Sequence, residues 1–184
     1  EQVATVRKSG FTFAPEAGSE RMRRVINKTN KEEDLMNAVR ATVKAGWRHL
    51  KFYFMIGLPT ETFVDVDAIA ALGERARAEG RKIRRDINVT VSVSTFVPKP
   101  HTSFQWEAQI GIEETIDKQR RLRRRLKRQN IGFRWHGAEQ SFLEGVLSRG
   151  DRRLADALEE AARVGCRLDA WGEHHNHELW LGVF

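Results

Sequence analysis

Apolar and polar positions along this chain switch between two periods. Short apolar strands are predicted in Gly10-Phe11-Thr12-Phe13-Ala14-Pro15-Glu16, Phe52-Tyr53-Phe54-Met55-Ile56-Gly57-Leu58-Pro59-Thr60-Glu61 and Val89-Thr90-Val91-Ser92-Val93-Ser94-Thr95-Phe96-Val97-Pro98-Lys99-Pro100, each running into a loop of proline, glycine and polar residues. They start 41 and 37 residues apart, and a helical pattern fills each gap. Met22, Val25 and Ile26 lie at helical spacing behind Ser19, a good cap. Leu35, Val39, Val43 and Trp47 then recur every four residues, behind a capping box of Thr29 with Glu32 or Asn30 with Glu33. Thr60 or Thr62 caps a further helix carrying Val66, Ile69, Ala70, Gly73 and Ala76, which Gly80 is expected to end before the basic run Arg81 to Arg85. Alternation of this kind predicts an α/β fold made of successive βα units of a barrel, with ligands expected at the strand carboxyl ends.

Beyond Pro100 the texture changes. A helix is predicted from Glu113 to Gln129, with Ile112, Ile116, Leu122 and Leu126 as a narrow apolar stripe and Lys118, Arg120, Arg121, Arg123, Arg124, Arg125, Lys127 and Arg128 over the rest. Ile131 to Trp135 reads as a last short strand. Two helices follow, one with Phe142, Leu143, Val146 and Leu147, the other with Leu154, Leu158, Ala161 and Ala162 behind an Asp151 cap; the aromatic C-terminus is helical from about Asn176.

Length and composition narrow the picture. At 184 residues the chain suits one domain or a partial domain with a helical appendage. Its start at Glu1, close to a strand, suggests a fragment of a longer protein. A formal charge of +7 and a pI near 10.0 favour an anionic partner such as RNA or a phosphate-bearing cofactor. The single cysteine, Cys166, excludes an internal disulfide framework and an iron–sulfur cluster held by this chain alone. No run of 18 apolar residues and no signal-peptide pattern occurs, so a cytoplasmic protein without membrane contact is expected.

Candidate chemistry collects at the strand ends. Glu16, between a strand and a capped helix, can accept hydrogen bonds from a vicinal diol such as a ribose, or simply complement the helix N-terminus. Gly57 lets a flat ligand approach the backbone, or serves only the turn. Lys99 and His101, stiffened by two prolines, can meet an anion or stand solvated. His174, His175 and His177 with Glu173 and Glu178 invite a metal, but their spacing supplies no convincing ligand set. The arginine-rich helix lacks interleaved aromatic residues and reads as a solvated or interdomain face ahead of a nucleic-acid site.

Taken together, Phe13-Ala14-Pro15-Glu16-Ala17-Gly18-Ser19-Glu20-Arg21-Met22-Arg23-Arg24-Val25-Ile26-Asn27-Lys28, Phe54-Met55-Ile56-Gly57-Leu58-Pro59-Thr60-Glu61-Thr62 and Phe96-Val97-Pro98-Lys99-Pro100-His101-Thr102-Ser103-Phe104-Gln105-Trp106 resemble the second half of the radical S-adenosylmethionine (SAM) core. The likeness is to the group in which that core follows a cobalamin-binding domain, and it continues through Ser141-Phe142-Leu143-Glu144-Gly145-Val146-Leu147-Ser148-Arg149-Gly150-Asp151-Arg152-Arg153 to the C-terminus. The resemblance implies strands four to six of a partial (β/α)6 TIM-like barrel, a horseshoe, over residues 1–103, and a helical C-terminal extension over 104–184. It implies that Glu16 contacts the SAM ribose with Ser19 beside it, and that Ile56, Gly57, Phe96 and Val97 meet adenine. It also implies that Glu61 closes the second motif and that Arg21 or Lys28 holds the methionyl carboxylate.

The CxxxCxxC cluster loop of that family is absent. The [4Fe–4S] ligands would therefore lie outside this chain, on the remainder of a parent protein, with cobalamin a candidate second cofactor. Such a parent would cleave SAM reductively to a 5′-deoxyadenosyl radical, while this chain alone, with no catalytic or metal-ligating residue of its own, is expected to be inactive. The substrate is open; methyl or methylthio transfer to RNA or protein is an analogy at the level of fold. The rival expectations are a non-catalytic basic RNA-binding module and a barrel fragment whose loops are only turns.

Overall fold

A computed structural model describes residues 10–184. Four strands and seven helices run in the order β1 (Phe11–Glu16), α1 (Glu20–Val25), α2 (Glu32–Lys44), β2 (His49–Ile56), α3 (Phe63–Ile83), β3 (Asn88–Thr95), α4 (Ile112–Arg128), β4 (Gly132–Trp135), α5 (Ala138–Arg149), α6 (Leu154–Arg163) and α7 (His177–Val183). They form two compact units. The first comprises the chain up to Ser94 together with Asp117–Trp135, the second Thr95–Ile116 with His136–Phe184. The end of the long basic helix and the strand after it thus belong with the sheet unit.

In the first unit the strands line up in chain order, β1-β2-β3-β4, as a parallel sheet. In β2 the alternation is strict: Leu50, Phe52, Phe54 and Ile56 are buried, while Lys51, Tyr53 and Met55 belong to the other face. Val89, Val91 and Val93 repeat this in β3. Against the apolar face pack Met36, Val39 and Val43 of α2, Val66, Ile69, Ala70, Leu72 and Ala76 of α3, and Leu122 and Leu126 of α4, all in one core. α2, α3 and α4 therefore cover the same face, as sequential connections of a single hand require. The opposite face carries Thr12, Lys51, Thr90 and Arg134, which line a shallow depression of about 360 Å³. Doubly wound sheets are apolar on both faces; this one is not.

Several local expectations shift. The N-cap of α2 is Lys31, whose backbone N–H donates to Asp34, and neither Thr29 nor Asn30 caps it. Thr62 rather than Thr60 caps α3. That helix runs past Gly80, which packs on Ile87, and ends only at Ile83. Arg153 stands at the N-cap of α6, and Asp151 instead accepts from the Arg153 N–H. Among the described residues, no helix is long and apolar enough to cross a membrane.

The second unit has a small core of Leu143, Ala161, Cys166 and Trp180, with Val183 packed against it. Polar bonds supplement it: Gln109 donates to the Ser141 carbonyl at 2.7 Å, and the Trp180 indole N–H donates to Asp169 at 3.1 Å. Asn176 caps α7, which starts at His177, one residue past the expected start.

Candidate functional site

At the end of β1 the ladder is broken. Phe13 lies opposite Phe52 but Glu16 lies opposite Phe54, so β1 uses one residue more than its partner across Ala14-Pro15. Proline has no N–H to give the ladder, and the bulge re-aims the chain beyond it. Glu16 consequently adopts a left-handed backbone, φ 68°, a conformation that a non-glycine residue holds only where its surroundings enforce it. Its carboxylate is about a third exposed and accepts from Lys28 at 3.2 Å; Lys28 also donates to the Ala14 carbonyl.

Two features enforce that geometry. Arg23 is buried and donates to the carbonyls of Ala17, Gly18 and Asn30 at 2.9–3.0 Å, clasping the loop from within. Burial pushes its guanidinium below its ordinary value. Gly18 lies against α3 so closely that a Cβ would stand 2.3 Å from the Ile69 nitrogen and 2.8 Å from the Asp65 carbonyl oxygen, so no other residue fits there without backbone movement.

The end of β2 is built the same way. Gly57 (φ 78°) and Thr60 (φ 65°) are both left-handed, and the Gly57 N–H donates to Glu61 at 2.8 Å. The same Glu61 oxygen accepts from Lys118 of α4 at 2.8 Å, and both side chains are almost wholly buried. Burial raises the Glu61 pKa, against the opposing pull of Lys118 and the Gly57 N–H. Between the two strand ends sits Asp65, which accepts from Ser19 at 2.6 Å, from the Thr62 hydroxyl and N–H at 2.7 and 2.9 Å, and from Arg21. Arg21 also donates to the Thr60 carbonyl at 2.9 Å. Burial of Asp65 resists its ionisation, yet the bonds from Arg21, Ser19 and Thr62 outweigh that and hold it well below the usual carboxylate range.

Glu16, Ser19, Arg21, Lys28, Gly57 and Glu61 are therefore gathered at neighbouring strand ends, in two roles. Glu16 and Lys28 present a carboxylate edge and an ammonium side by side, each side chain about a third exposed, a pair suited to binding hydroxyl and carboxylate groups. Ser19, Arg21 and Glu61 are engaged in holding the loops. Ile56 is buried in the core. Phe96 and Val97 follow β3 in the second unit, where the Phe96 ring meets Phe104 edge to face at 6.0 Å. There Lys99 pairs with Glu144, and His101 is exposed with φ 62°. His175 stacks on His177 at 6.2 Å, and no metal-competent group of three occurs among the described residues.

No family model matches the chain, and no solved structure matches it. An uncharacterized protein of Methanocaldococcus jannaschii is 31% identical over 175 residues. That match takes in 95% of this chain but 37% of the archaeal protein, so the chain spans little more than a third of its relative's length.

Asp65, Arg23 and Lys118 were not among the residues expected at the site. Asp65 is legible in retrospect as the acid three residues after the Thr62 cap. Lys118 falls on the inner stripe of α4 with Thr115, Leu122 and Leu126, all buried, so its spacing rather than its charge marked it. It is a correction to reading Lys118 as part of a solvated face. Nothing in the sequence separates Arg23 from its neighbours.

Proposed function

We propose that the first unit is the second half of a radical SAM core, strands four to six of a horseshoe-like partial barrel, and that Glu16, Lys28 and Gly57 form the ribose and methionyl side of its SAM site. The observation that carries this reading is the pairing of Glu16 and Gly57. Both are left-handed, at the carboxyl ends of adjacent parallel strands, with the partly exposed Glu16 carboxylate beside Lys28. A sheet wound in one direction, with helices on one face and Thr12, Lys51, Thr90 and Arg134 on the other, also supports it, because a barrel interior that binds a polar ligand needs such a face.

The residues fit the nucleoside. The Glu16 carboxylate has acceptor capacity for a diol, the Lys28 side chain is 31% exposed and its ammonium can meet a carboxylate, and Gly57 has no side chain to keep a flat base from the backbone. When bound, the [4Fe–4S] cluster, held by residues outside this chain, supplies the electron for SAM cleavage. What this chain contributes is orientation. Arg23 and Gly18 fix the loop that carries Glu16, and Glu61, pinned by Lys118, fixes the turn at Gly57. Methyl or methylthio transfer is the reaction class this reading favours.

Titration calorimetry of SAM into the full-length protein tests the site. Glu16→Gln keeps the shape and removes the charge; loss of a charge-assisted bond to a ribose hydroxyl is expected to weaken binding about tenfold. Unchanged affinity in that variant contradicts the assignment.

A further inference from the structure

The arginine-rich helix divides into two sets of cations. Lys118, Arg121 and Arg125 are engaged with Glu61, Asp67 and Glu74, so they belong to the packing of α4 in its unit. Arg123, Arg124 and Lys127 have no acidic partner among the described residues, and with Arg120 they follow one exposed stripe at helical spacing. This stripe lines an open groove of about 710 Å³ whose other walls include Phe63 and Arg121. Phe63 at the start of α3 is 49% exposed, with the Arg121 guanidinium 5.3 Å from its ring centroid. On the other side of the helix Trp135 is 42% exposed, with Arg123 5.5 Å from its ring and Phe133 stacked on it at 5.1 Å. The fold thus supplies from α3 and β4 the aromatic partners that the helix itself lacks.

We infer that this face of α4 binds single-stranded RNA, phosphates lying along Arg123, Arg124 and Lys127 and bases stacking on Trp135 and Phe63. Four cations in a row with flat, exposed rings on both flanks is the pattern by which a flexible polyanion carrying π-faces is held. Asp117, the acid lining the groove, favours RNA over DNA. A carboxylate there repels phosphate but accepts from a 2′-hydroxyl. The inference does not depend on the SAM assignment.

Fluorescence anisotropy of a labelled dodecauridylate with the full-length protein tests it. Affinity should fall steeply with salt. Arg124→Gln with Lys127→Gln should flatten the log–log salt slope by about 1.4, and Trp135→Ala should weaken binding about tenfold with little change in slope. Lys44→Gln, on the exposed side of α2, should change nothing. Circular dichroism melts check that each variant is folded. Failure to bind at low salt, binding unaffected by these α4 and Trp135 variants, or equal affinity for polyglutamate or for dodecathymidylate overturns the inference.

Discussion

The two units of this protein reach order by different means. In the sheet unit, alternation along β2 and β3 meets three amphipathic helices, and one continuous core results in which Phe52, Phe54, Ile56, Met36 and Val39 are at most 1% exposed. The other unit centres on four buried side chains and leaves Trp106 85% and Trp171 61% exposed. The contrast shows where precision is available: a strand end fixed by a packed sheet can hold Glu16 in a strained conformation beside the unstrained left-handed Gly57, because the surrounding core over-determines it. A small helical core has less to draw on.

Core truncation tests that contrast most strongly. Phe52→Ala should destabilise the sheet unit by about 4 kcal/mol, whereas Leu143→Ala, at the edge of a smaller core that can collapse, should cost about 2 kcal/mol in its own unit. Equal losses in denaturant melts followed by hydrogen exchange would remove the distinction. Next, Lys118→Ala strands the buried Glu61 carboxylate and should cost about 3 kcal/mol. Adding Glu61→Gln should recover part of this, and a purely additive double variant would mean that the two side chains do not act as a pair.

A smaller effect is pH dependent. Asp65 ionises more readily folded than unfolded, so its contribution is fully present above its ordinary value of 3.8 and is lost as pH falls below it. Glu61 has the opposite sign, since its raised value makes the folded state the better proton binder as pH falls. Acid unfolding of Asp65→Asn should therefore be flatter than that of wild type below about pH 4, whereas Glu61→Gln should differ above its ordinary value of 4.5, losing the stability that wild type gains there as pH falls. Parallel profiles would show that neither carboxyl titrates differently in the folded and unfolded states.

Much of the sheet unit was legible because periodicity reports directly which face a residue occupies. Phe52 to Ile56 could be read as a strand, although its start at His49 was missed, and Ser19 as a cap from its place before Met22. The boundary of α3 was not, because Gly80 looks like a stop signal when its contact with Ile87 is unseen. Nor was the network around Asp65, whose partners Ser19 and Arg21 are 46 and 44 residues away. Charge misled at α4: a run of arginines and lysines reads as a solvated or interdomain face, yet Lys118 is buried on the stripe of Leu122 and Leu126. Spacing located it better than residue type.

The most direct test of the account is reductive SAM cleavage by the full-length protein, reconstituted anaerobically with iron and sulfide. The account predicts 5′-deoxyadenosine formation that depends on a reducible cluster and falls at least tenfold in Gly57→Val, whose β-branched side chain cannot hold φ near 78° without strain. A parent that binds no iron and releases no 5′-deoxyadenosine would contradict it.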